Sequence, residues 1–108
     1  MNPATQIFAL LAAALHVLIF CMESLWYMRP GVHKRFGAAT REDAEASRLF
    51  AFNQGFYNLF LACGVFAGIV LLHAGNNMIA GQTLILFSCA CMVGAAAVLL
   101  LSAGRQML

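Results

Sequence analysis

Polar residues are sparse along this chain and they are grouped. From Pro3 to Met28 only Thr5, Gln6, His16, Glu23 and Ser24 interrupt a run of otherwise apolar, small or aromatic side chains. Twenty-six helical residues extend roughly 39 Å, more than the roughly 30 Å hydrocarbon core of a bilayer. A second apolar run covers about 49–72 and a third about 82–103. The pattern predicts an all-α fold: a membrane-embedded antiparallel helical bundle with transmembrane spans at about 4–28, 49–72 and 82–103, forming a single domain over 1–108. The N-terminus carries no Lys or Arg and the first run contains a glutamate, so it reads as an uncleaved span rather than a signal peptide.

Between the first two runs, "RPGVHKRFGAAT" reads as an interfacial loop. Pro30 and Gly31 are expected to stop the first helix, and Phe36 suits the headgroup level. Thr40-Arg41-Glu42-Asp43 resembles a capping box, so the second helix is expected to start near Arg41, with its first turns outside the hydrocarbon. "HAGNNMIAG" reads as a short turn before the third span. Gly64 with Gly68, and Ala90 with Gly94, place small residues four apart, where two helix backbones can approach closely.

Composition sharpens this picture. The chain is 63% hydrophobic and 9% charged, against roughly a quarter charged in soluble domains; 108 residues cannot hide that much apolar surface in one aqueous core. Arg29, Lys34, Arg35, Arg41 and Arg48 all lie in or beside the first loop, the second connection has no basic residue, and Arg105 follows the third span. The positive-inside rule therefore puts loop 29–48 and the residue-108 end in the cytoplasm and the N-terminus outside. No basic stripe interleaved with aromatics exists, which excludes nucleic acid as a partner. Cys21, Cys63, Cys89 and Cys91 sit within apolar runs and read as small packing residues. Nothing in the spacing asks for a metal or a cofactor.

The remaining polar residues are the candidate chemistry. His16 and Glu23 are two helical turns apart on one face. Asn53 with Tyr57, and Gln54 with Asn58, are i, i+4 pairs that give the second helix a broad polar face. Matching depths across an antiparallel hairpin sets Glu23 level with Asn53 and Gln54, and His16 level with Asn58 and Tyr57. A carboxylate at that depth costs about 2.5 to 3.5 kcal/mol on insertion scales, so Glu23 must be protonated, paired or wet. Trp26 and Tyr27 read as an interfacial belt or as a wall of the same recess. The candidate ligand-binding set is thus His16, Glu23, Trp26, Tyr27, Asn53, Gln54, Tyr57 and Asn58, with Glu23 and His16 as catalytic candidates.

Taken together, His16 with Glu23 seven residues later, Trp26 and Tyr27, Pro30, Phe36-Gly37 and above all "NQGFYNLFLACG" resemble the domain of unknown function 1304 family, over roughly residues 4 to 94. The resemblance implies an integral membrane protein of the bacterial inner membrane whose polar signature falls on His16, Glu23, Asn53, Gln54, Gly55, Tyr57 and Asn58. It also implies a fourth apolar helix after the position of Arg105, and no cofactor. Three functional readings follow: binding or moving a small polar or amphipathic molecule; an intramembrane acid/base enzyme of isomerase or hydrolase type using Glu23 and His16; and a structural or accessory subunit. Ligand handling is favoured, with the lipid bilayer as partner and a homo-oligomer as a further expectation.

Overall fold

The computed structural model describes residues 1–75 and 77–102. Helix α1 runs Pro3–Phe20 and continues through one wider, π-helical turn at Cys21–Leu25. A single-turn α2, Pro30–His33, follows. Helix α3 spans Arg41–His73 and α4 spans Met78–Ser102. Among the described residues there is no strand, and Pro3–Leu25, α3 and α4 are each long and apolar enough to cross a membrane.

The helix starts follow local chemistry. Pro3, lacking an N–H, sits where the first turn needs none, and the Asn2 side chain accepts from the Thr5 N–H at 2.8 Å. Thr40 caps α3 by accepting from the Asp43 N–H at 3.1 Å, and Glu42 and Asp43 place negative charge against the positive end of the helix dipole. Asn77 does the same for α4, accepting from the Ala80 N–H at 3.1 Å.

Helix α3 is the central element, flanked by α1 and α4. Ala9, Ala13, Ala62, Val65, Ile85 and Met92 form the principal core. At one end, α3 and α4 touch backbone to backbone. A Cβ placed on Gly68 would stand 2.8 Å from the Gly81 carbonyl oxygen and 2.6 Å from Ile85 Cγ1. One turn along, Gly64 lies against the Ser88 hydroxyl. His73 Nε2 and Gln6 Oε1, 2.6 Å apart, join α3 to α1 at the same end. Beyond Met92 every described residue of α4 is exposed, so α4 diverges from α3 there.

The opposite end is closed by the first connection, which is folded rather than loose. Tyr27, Ala38, Ala44 and Ala51 form a second small core. His33 is only 2% exposed and its Nδ1 pairs with the Ala38 carbonyl at 2.8 Å. Gly37 turns the chain at φ 91°, a left-handed conformation that favours glycine.

Several local expectations change. The first helix closes at Leu25, not Met28, and the chain then makes a tight turn in which the Arg29 N–H donates to the Trp26 carbonyl at 3.0 Å. Pro30 opens the short α2 instead of ending α1, as its fixed φ suits a first helical position. Met78 to Gly81 already belong to α4. Ala90 is exposed and Gly94 has no atom near its missing Cβ; α4 meets α3 through Gly81, Ile85 and Ser88. Ala103 and Arg105 lie outside the described residues.

Candidate functional site

The site begins with a backbone irregularity. The Trp26 N–H donates to the Cys21 carbonyl at 2.8 Å, an i to i+5 bond that widens the last turn of the first span. Single π turns of this kind rotate the following side chains and recur at functional positions. Here the turn contains Glu23 and Ser24 and directs both at α3.

Glycine on α3 receives them. A Cβ at Gly55 would collide with the Ser24 hydroxyl and lie 3.2 Å from Glu23 Cβ, so only glycine allows this approach. The Ser24 hydroxyl donates to the Phe52 carbonyl at 2.8 Å. The Asn58 amide Nδ2 donates to Glu23 Oε1 at 2.8 Å and to the Gln54 carbonyl at 3.1 Å. Phe20 meets Phe56 edge to face, centroids 5.0 Å apart, just above the turn. Glu23 is 8% exposed. Among the described residues Asn58 is its one hydrogen-bond partner and no sealed side-chain oxygen lacks one, so the second carboxyl oxygen is open to its surroundings.

Glu23 also lines a cavity of about 140 Å³, together with Ser24, Leu25, Tyr27, Met28, Arg48 and Phe52. A void of roughly 150 Å³ holds a benzene-sized molecule. The Tyr27 hydroxyl is committed to Ser47 Oγ at 2.8 Å, so Tyr27 offers chiefly a wall. Arg48 is exposed at the rim. Among the described residues the one ion pair is Arg41–Glu45, so Glu23 and Arg48 face a common space without engaging each other. Leu25, Met28 and Phe52 supply an apolar lining. The described residues contain no cluster of His, Cys, Asp or Glu able to hold a metal ion, and all four cysteines are free.

The candidates drawn from the sequence are thus sorted by geometry. Glu23 and Asn58 are brought together, with Tyr27 at the cavity wall. At backbone level Glu23 faces Gly55, next to Gln54 in the chain, and its side chain reaches the following turn to Asn58, while Asn53 and Gln54 are exposed and make no hydrogen bond to it among the described residues. Tyr57 is also exposed, at 61%. His16 binds back to its own helix, Nδ1 to the Ala12 carbonyl at 2.8 Å, and is not among the cavity's walls. Trp26 lies 5.2 Å from the Arg29 guanidinium, a cation–π contact at the edge of the bundle. Ser24, Arg48 and the buried His33 were not singled out by sequence. Arg48, the innermost basic residue before the second apolar run, carries a signal that could have marked it.

Residues 10–108 match the model of a family described as Protein of unknown function (DUF1304). The chain belongs to this family. That covers the π turn, Gly55, Asn58 and the cavity, so the site lies wholly within the DUF1304 region. No curated protein and no solved structure matches the chain significantly.

Proposed function

We propose that this chain is a multi-pass protein of the bacterial inner membrane that binds, and by binding moves, a small polar or amphipathic molecule at the recess beside Glu23. In this reading the spans are about 4–28, 49–72 and 82–103, loop 29–48 is cytoplasmic and the N-terminus is outside, as the basic residues of that loop require. The observation that supports it best is a buried carboxyl held by Asn58 and lining a cavity whose rim carries a guanidinium with no ion-pair partner among the described residues. Such a pair suits a molecule with a hydrogen-bond donor or cationic group for Glu23 and an acceptor or anionic group for Arg48. Leu25, Met28 and Phe52 give the recess an apolar lining, and the volume limits the bound part to a few heavy atoms. Asn58 fixes the carboxyl's orientation, Ser24 and Gly55 fix the distance between the helices, and Tyr27 backs the recess.

An acid/base enzyme pairing Glu23 with His16 is less well supported, since His16 is bonded within α1 and does not reach the cavity. The test is a calorimetric titration of the protein in lipid nanodiscs with glycine and ethanolamine as probes. Saturable binding that is lost in Glu23→Gln and weakened in Arg48→Gln is expected. Absence of binding, or binding that Glu23→Gln leaves intact, contradicts the proposal.

A further inference from the structure

The recess uses Asn58 and Gly55 but leaves the rest of the "NQGFYN" polar face unexplained. Asn53, Gln54 and Tyr57 are all exposed, and among the described residues none of the three side chains makes a hydrogen bond. Their direction on α3 is informative. Tyr57 precedes Gly64 by seven residues and Asn53 precedes it by eleven, so at about 100° per residue both fall within roughly 20° of the line that Gly64 turns toward Ser88 of α4. The seam between α3 and α4 is therefore closed at Gly68 and Gly64 and open at Tyr57 and Asn53, where α4 has diverged.

Closing α4 onto α3 does not solve the problem. The residues that continue the Ser88 line on α4 are Met92, Ala95 and Leu99, which offer no hydrogen bond to a carboxamide or a phenol, and then Ser102, whose hydroxyl donates to the Val98 carbonyl of its own helix at 2.8 Å. Acyl chains offer none either, and unsatisfied polar groups in hydrocarbon are costly. A small ligand there has a wall on one side only.

We infer that this open half of the seam is the contact surface for a second copy of the chain, with the two α3 helices parallel about a two-fold axis normal to the membrane. Such an axis sets equal depths against each other, so Asn53 faces the Asn53 position of the other copy and Tyr57 the same turn. Self-contact suits few polar side chains. Carboxylates repel and cations repel, whereas a carboxamide carries donor and acceptor together and pairs reciprocally with its own kind; a phenol likewise both donates and accepts. A buried Asn at a symmetric helix contact selects dimers and fixes their register. This surface is distinct from the Glu23 recess and does not depend on any ligand there.

The test is disulfide trapping in native membranes, with the four native cysteines replaced by alanine. Asn53→Cys and Tyr57→Cys are each expected to give a dimer band on mild oxidation, and Leu18→Cys on the exposed face of α1 none. Equal trapping at Leu18, no trapping at Asn53, or adducts only with a different protein overturns the inference. A second readout is resonance energy transfer between labelled copies in vesicles. Asn53→Leu should weaken association about threefold to tenfold, at about threefold per lost hydrogen bond, and Asn53→Gln should retain most of it. An unchanged Asn53→Leu signal contradicts the inference as firmly as failed trapping.

Discussion

Helix α3 joins its two neighbours by different means. Against α4 it uses glycine to bring backbones together, Gly68 on Gly81, with no polar side chain involved except Ser88. Against the end of the first span it uses glycine to admit polar groups, Gly55 receiving Ser24 and Glu23, and then binds them through the Phe52 carbonyl and Asn58. The first contact is dry and built on shape. The second is stitched by hydrogen bonds around a buried carboxyl. In a membrane, packing and hydrogen bonding are separate sources of helix association, and this chain separates them along one helix.

Substitutions can break either side of that contrast, and the dry contact should be the more sensitive. Gly68→Val sets a branched side chain against a backbone carbonyl that cannot move aside, and should cost about 3 kcal/mol, the upper end of the overpacking range. Reversible unfolding in mixed micelles measures it; a loss below that of Gly55→Ala reverses the ranking of the two seams. Gly55→Ala should cost less, about 1 to 2 kcal/mol, because the obstructing atom is a hydroxyl that can rotate at the expense of its bond to Phe52. Adding Ser24→Ala should recover part of that loss, giving a non-additive cycle, whereas additive losses place the clash elsewhere.

Asn58→Leu removes the one hydrogen bond that the carboxyl receives among the described residues and is expected to destabilise by about 0.6 to 1.7 kcal/mol, the span measured for interhelical hydrogen bonds in lipid. Its effect on stability should be smaller than its effect on binding at the recess, and a variant that binds normally separates Asn58 from the site. Gly94→Ala lies where nothing approaches the missing Cβ. It should be neutral or gain up to about 1 kcal/mol from helix propensity, and a marked loss indicates that the diverged half of α4 packs more closely than described.

Much of this was legible in the sequence, and what was not has a physical reason. Three helices long and apolar enough to cross a bilayer, the cap at Thr40 and the small residues Gly64 and Gly68 follow from periodicity and spacing. Glu23 and Asn58 were both marked by the expense of polar groups in apolar surroundings. Their pairing was not, because depth alone cannot distinguish Gln54 from Asn58, one turn apart; the choice depends on helix rotation, which Gly55 and Ser24 set. The π turn has no periodic signature, since one extra residue in a short apolar stretch leaves hydropathy unchanged. His33 was missed for a similar reason: an eight-residue stretch of loop between Pro30 and Gly37 shows no pattern from which its burial could be read. Arg48 was counted only as charge, although its place at the cavity rim comes from being one turn before Phe52 on α3.

Everything proposed for the recess depends on Glu23 being held across the helix pair with its free oxygen in the cavity. Dipolar recoupling by solid-state NMR on the protein in bilayers, with labelled Glu23 carboxyl carbon and Asn58 amide nitrogen, measures this directly. The account predicts strong coupling, corresponding to the 2.8 Å contact between Nδ2 and Oε1, together with magnetisation transfer to the carboxyl from water. No coupling to Asn58, with transfer to the carboxyl from acyl-chain protons alone, would contradict it.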